Sequence, residues 1–269
     1  MKELVKFLLY STGRSGSTAI ADELSSTKSI ACYQEPIVDF EKLKPEVKER
    51  LLKLYQEQGI AFSNAQQGAR LHGFGTLKHL DPSISYEDYL ERIESYEGHA
   101  QKKAFGIKQV HNQLQSFPGF WDEFTKRGYR CLFLTRRNIV RGGLSATVAA
   151  VRGLYNTKDN ERTKEGSVLV PLDLLDQNIR LFQSAIDEPM EFLVSKGLSP
   201  HQIFYEDFLA DRLAFHRFIF EVLEIDFEQP DPSGFQKLVP QQLEDFVENY
   251  PEVRKFLRKK KLEHFLDEL

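Results

Sequence analysis

Residues 4–10 (LVKFLLY) form a short, mostly apolar run that stops at Ser11, Thr12 and Gly13. This is the pattern of a buried parallel strand closed by a turn. Beyond the turn Ile20, Ala21 and Leu24 recur at helical spacing, so the pattern predicts strand, tight turn and helix in that order. The same grammar returns at residues 103–110 (KAFGIKQV), with a helical stretch around 120–126, and at residues 129–135 (YRCLFLT), with a helix from about 139 to 151. A last strand near 202–205 leads into Phe208, Leu213, Phe215, Phe218, Ile219 and Val222, again at helical spacing. Strands alternating with helices predict an α/β fold, a parallel sheet flanked by helices. Residues 40–100 and 155–200 read as helical and loop insertions on that frame. No segment of 20–50 residues repeats and no long linker interrupts the chain, so one domain over residues 1–269 is expected.

Composition narrows the partners. With 41% apolar and 12% aromatic residues, a chain of 269 residues has the material for a large core. Its 36 Lys+Arg against 40 Asp+Glu give a net charge of −4, which does not favour a generally basic nucleic-acid binder. Cys32 and Cys131 stand alone, forming neither a disulfide framework nor a zinc-ligand spacing. A reducing, cytoplasmic setting is the expectation. No apolar run approaches the ~20 residues that span a bilayer.

Ligands of open parallel sheets sit outside the carboxyl ends of the strands, so the turns there carry the candidate chemistry. After the first strand comes STGRSGST, residues 11–18. Glycines at such a turn admit an anion close to the backbone, and the following helix start offers N–H groups and a favourable dipole. Ser17 and Thr18 add hydroxyls, and Arg14 adds a planar, permanently charged fork. The register that aligns Gly16 and Thr18 with the nucleotide loop GxxxxGK[ST] puts Ser17 where the phosphate-binding lysine belongs.

A second cationic stretch spans residues 130–152, with five arginines and no acidic residue in 23 positions. Arg136 and Arg137 sit at the carboxyl end of a strand, and Asn138 is placed to cap the next helix. Arg141 and Ser145 are four apart on one helical face. The spacing predicts that Arg137, Arg141 and Ser145 converge on a phosphate monoester. Two anion sites at neighbouring strand ends suit a ligand with two separated phosphate-like groups.

These segments resemble known ones. LLYSTGRSGST is similar to the 5′-phosphosulfate loop of sulfotransferases that use 3′-phosphoadenylyl sulfate (PAPS), in their carbohydrate and bacterial branch. RNIVRGGLS, residues 137–145, resembles their 3′-phosphate motif, an Arg followed eight residues later by a Ser, with RNI here where RDP is usual. Tyr205, Glu206 and Asp207 resemble the YED element, whose Tyr lies near the adenine, and residues 248–266 resemble the terminal region of bacterial members. The resemblance implies a P-loop-like α/β fold, PAPS as donor with 3′,5′-diphosphoadenosine (PAP) as product, and transfer of a sulfuryl group to a hydroxyl or amine. By match, Arg14, Ser15, Gly16, Ser17 and Thr18 hold the 5′-phosphosulfate, Arg137 and Ser145 the 3′-phosphate. No metal is implied.

Charge growing on the leaving phosphate oxygen calls for donors. Arg14 is the first candidate and Lys108, in FGIKQVH, the second, with a solvated strand end as the alternative for Lys108. The acceptor must lose a proton to a base. Glu35, before Pro36, matches the position of a Glu in the carbohydrate and bacterial relatives; His111, three residues after Lys108, titrates nearer neutrality. Both stay open, with His72 a remoter option for substrate contact. Residues 40–100 and 153–200 are expected to shape the acceptor pocket. Tyr86, Tyr89, Phe117 and Trp121 belong either to it or to the core. A carbohydrate or glycolipid acceptor is ahead by resemblance. The basic run at 254–261 either touches an anionic surface or is a solvated helix face. The alternatives are a P-loop-type small-molecule kinase and a non-catalytic phosphate-binding adaptor.

Overall fold

A computed structural model describes residues 3–34, 38–39, 69–70, 85–95, 99–114, 117–153, 166–235 and 237–268. Five strands form one parallel sheet: β1 (Val5–Ser11), β2 (Ile30–Gln34), β5 (Ala104–Val110), β6 (Arg130–Thr135) and β7 (Pro200–Phe204). Their spatial order is β2-β5-β1-β6-β7. A separate antiparallel pair joins β3 (Val38–Asp39) and β4 (Ala69–Arg70). The alternating helices are α1 (Ser17–Ser26), α2 (Tyr86–Glu94), α3 (His111–Leu114), α4 (Gly119–Lys126), α5 (Ile139–Arg152), α6 (Leu172–Ser195), α7 (Tyr205–Ala210), α8 (Arg212–Val222) and α9 (Tyr250–Lys259).

β1 lies at the centre, and its alternation divides the core. Leu8 and Tyr10 pack on one face with Ile107, Phe120, Trp121, Phe124 and Phe133. Phe7 and Leu9 pack on the other with Ile20, Leu24, Phe208 and Ile219. Both faces are covered, which is why these strands read as apolar runs. The chain leaves β1 toward β2 on one side and crosses to β6 on the other, so β1 marks the topological switch, where α/β sheets place ligands.

Three differences from the sequence expectation are informative. β2 was not expected; it is a short edge strand, partly exposed, so its apolar signal is diluted. The second insertion contains α6, a 24-residue helix that continues through Pro189, a residue that ordinarily marks a break. Gly142 and Gly143 explain how α6 docks. A Cβ at either would come within 2.7 Å of Phe182 or Ile179, so only glycine lets α5 and α6 approach this closely. The last strand ends at Phe204, and Tyr205 opens α7. No helix among the described residues is long and apolar enough to cross a membrane.

Candidate active site at the carboxyl end of the sheet

The turn after β1 leaves backbone donors uncapped at the start of α1. Gly16 is the N-cap of α1 in a left-handed conformation (φ 81°, ψ 5°), and no side chain caps the helix. The N–H groups of Ser17 and Thr18 therefore lack intrahelical acceptors, and the dipole adds positive potential. Arg14 is also left-handed at φ 63°, a conformation rare for a residue with a Cβ and costing ~1–2 kcal/mol. Ser15 braces the turn from within: it is fully buried and donates its hydroxyl to the Thr12 carbonyl at 2.7 Å. Ser11 Oγ and Thr12 Oγ1 are buried with no hydrogen-bond partner among the described residues.

Lys108 enters this turn from below. Strand alternation sends it to the α1 face of the sheet, where it is 1% exposed and its Nζ donates to Thr18 Oγ1 at 3.4 Å. That burial rules out the solvated strand end. The positive charge reaches Cys32 on β2, but burial dominates there and pushes the thiol up to about 12. Burial likewise pushes Cys131 up to about 12. Neither cysteine is a nucleophile near neutral pH.

Tyr205 ties the first turn to the second cationic stretch. Its ring lies against Gly16, so a Cβ there would sit well under 3.0 Å from ring carbons. The Arg136 guanidinium stacks over the same ring at 4.3 Å. Burial lowers the Arg136 pKa, against the opposing influence of Tyr205 and Glu206. Its Nε has no hydrogen-bond partner among the described residues. Lys237, from the segment after α8, is lowered by partial burial and then by the charges of Arg136, Arg141 and Arg212. Four cations thus crowd one region; Arg212 already pairs with Glu23, and an anion relieves the rest.

Arg137 and Arg141, expected with Ser145 around one phosphate, each have bonding partners within the chain. Arg137 makes a bidentate pair with Asp207 at 2.5 and 2.9 Å and lies over Phe204 at 3.8 Å. Arg141 donates to the carbonyls of Pro240, Gln241 and Leu266. The helix start is occupied too. The Glu206 carboxylate accepts the backbone N–H groups of Arg137 and Asn138, and Asn138 Oδ1 caps Arg141 N at 2.8 Å. Apart from the local Asn138 cap, the acceptors come from segments 68 to 125 residues away, so local spacing does not reveal them. Ser145 is buried in the same helix, 8% exposed. Arg136, Glu206, Asp207 and Lys237 are the residues the sequence reading did not assign. Glu206 and Asp207 were in view within YED, whereas Lys237 has no local signature.

His111 starts α3, half-buried, with its Nδ1 hydrogen-bonded to the Tyr10 hydroxyl. Glu35, Pro36 and His72 lie outside the described residues. Tyr89 and Trp121 belong to the core, and Tyr86 rests on Phe120. In the basic terminal run, Arg254 and Arg258 pair with Glu263 and Lys260 with Asp176.

Neither a family model nor a curated protein matches this chain. Among solved structures it is similar to the sulfotransferase domain from the curacin biosynthetic pathway, with a TM-score of 0.50 and 17% identity over 84% of this chain and 76% of that one. Two others are a sulfotransferase from Alicyclobacillus acidocaldarius (TM-score 0.47, 16% identity, 99% and 97% covered) and the sulfotransferase domain from the Synechococcus PCC 7002 olefin synthase (0.39, 14%, 85% and 76%). Resting on the first of these, the likeness is one of architecture: the chain has a sulfotransferase-type α/β fold.

Proposed function

We propose that this chain transfers a sulfuryl group from PAPS to a hydroxyl or amine of an acceptor, a carbohydrate or glycolipid by preference. The observation that carries this reading is the uncapped start of α1 behind Gly16, joined through Tyr205 to a cluster of four cations at the same end of the sheet. The residues fit a ligand with two anionic groups. The turn offers N–H groups, buried hydroxyls without partners and Lys108; the second region offers Arg136, with a buried unpartnered Nε, and Lys237.

PAPS supplies an activated sulfur bonded to a phosphate leaving group. The acceptor oxygen or nitrogen forms a bond to that sulfur as the bond from sulfur to the phosphate oxygen breaks. The electron pair stays on the phosphate, giving PAP, and the acceptor's proton passes to Glu35 or His111. The loop N–H groups, Arg14 and Lys108 meet the growing phosphate charge. In-line transfer of this kind needs no bridging divalent ion, by analogy with loose phosphoryl transfer in which positioning and electrostatics dominate.

For the 3′-phosphate we assign Arg136 and Lys237 alongside the motif residues Arg137 and Ser145. Arg136→Met is expected to weaken PAP binding about 10–100-fold, the worth of one charge-assisted hydrogen bond. Arg137→Ala loses mainly its exposed pair with Asp207 and costs less. Calorimetry with PAP on the two variants decides the matter. A larger loss in Arg137→Ala returns the 3′ site to the motif arginine.

A further inference from the structure

We propose that Glu23 is a positioning residue for the nucleotide site: its carboxylate holds the segment after α8 along α1 and so sets Lys237 beside Arg136. That segment runs against the helix it covers. Glu228 accepts the N–H groups of Lys28 and Ser29, Ser26 Oγ accepts that of Asp231 at 2.8 Å, and Glu23 Oε1 accepts that of Ser233 at 3.0 Å. As the chain passes from 228 to 233, its partners step back from Ser29 to Glu23, toward Gly16 and the open start of α1. A second hold lies beyond, where Arg141 on α5 donates to the carbonyls of Pro240 and Gln241. Lys237 stands between the two holds, four residues past Ser233 and three before Pro240. There the charges of Arg136, Arg141 and Arg212 act on it, and the adjoining Leu238 is buried, which keeps this stretch on the protein.

Glu23 is 2% exposed, and a carboxylate so buried is costly unless its oxygens are met. Here both are. Oε2 faces His216 Nε2 at 2.7 Å, and Oε1 accepts from Arg212 at 3.0 Å besides the Ser233 N–H. Burial works to raise the Glu23 pKa, but the hydrogen bonds from His216 and Ser233 and the charge of Arg212 outweigh it and hold the carboxyl below its usual value. An ionised carboxylate only accepts, so His216 donates from Nε2. Enclosed by three donors, Glu23 is a fixed acceptor and not a base for the acceptor's proton. Arg212 and His216 are one turn apart on α8, so the carboxylate joins α1, α8 and the following segment at one point. The helix that opens at Gly16 is thereby tied to the segment that carries Lys237, and the two anionic sites share one brace. The role toward the nucleotide rests on the sulfuryl-transfer reading; the tie of the segment to α1 does not.

The test has two readouts, one of them independent of any ligand. Hydrogen–deuterium exchange of the full chain follows the amides of residues 231–241, and in Glu23→Ala their exchange is expected to quicken at least about tenfold, the worth of one charge-assisted bond. Unchanged exchange overturns the tie. Calorimetry with PAP and 5′-AMP gives the second readout. Glu23→Ala is expected to lower PAP affinity about tenfold and to leave 5′-AMP affinity within about threefold of wild type, since only the 3′-phosphate meets Lys237. Starting from Lys237→Met, the same change is expected to cost PAP nothing further. Unchanged PAP affinity, equal loss of both ligands, or a loss that persists in the Lys237→Met background overturns the positioning role. Should Glu23→Ala not fold, Ser233→Pro removes the same bond from the other side and leaves Glu23 with His216 and Arg212, and the same results decide. Wild-type protein that binds PAP no more tightly than 5′-AMP overturns the nucleotide reading and with it the role of Lys237, while exchange still decides the tie.

Discussion

Replacing Gly16 by alanine is expected to lower PAP affinity at least about 100-fold and the melting temperature by roughly 4–20 °C. Two independent costs meet at this residue. The left-handed backbone at φ 81° penalises any Cβ by ~1–2 kcal/mol. The methyl would also enter the Tyr205 ring, which is pinned from elsewhere by Arg136, and such overpacking costs a further ~1–3 kcal/mol. At about 2–4 °C per kcal/mol for a domain of this size, the sum gives the shift in melting. The affinity loss follows because relief of the clash moves the turn, and losing two N–H contacts to an anion is worth about two orders of magnitude. In a Tyr205→Leu background the stability penalty shrinks to the backbone part. Melting curves and calorimetry on the four proteins of this cycle give the coupling directly. Near wild-type affinity in Gly16→Ala contradicts the anion-receptor reading of the turn.

Lys108→Met is expected to separate catalysis from stability. The side chain is buried beside Thr18 with its positive charge in the interior. Methionine fills the space without the charge. Methionine removes the cost of burying that charge together with its hydrogen bonds, so melting is expected to shift little. Loss of a donor aimed at the leaving phosphate lowers kcat on the order of 10²–10³-fold. The readouts are PAPS conversion to PAP and a thermal melt. A kcat within about threefold of wild type removes Lys108 from the chemistry.

The sheet was legible because β1, β5 and β6 are buried on both faces and so appear as uninterrupted apolar runs, each followed by a helical period. Edge strand β2 lacks that mark; α6 lies where a helical insertion was read, though nothing local announces a single helix of 24 residues running through Pro189. Around the site, Gly16 and Lys108 were identifiable from chain position alone, since each lies at a strand's carboxyl end. What faces them was not. Tyr205 reaches Gly16 and Glu206 reaches the N–H of Arg137 across long stretches of sequence. An eight-residue spacing that aligns Arg137 with Ser145 contains nothing about the Asp207 that pairs with Arg137. Partners for charged side chains are decided by which elements the topology brings together, and that information is spread over the whole chain.

The central claim is that this chain holds a nucleotide by two anionic groups at one end of the sheet. Isothermal titration of the wild-type chain with PAP, 5′-AMP and ATP with Mg²⁺ tests it most directly. PAP is predicted to bind without divalent metal and at least about tenfold more tightly than 5′-AMP, the worth of the 3′-phosphate at a charge-assisted site. Equal affinity for PAP and 5′-AMP, or tighter binding of ATP with Mg²⁺ than of PAP, would contradict it.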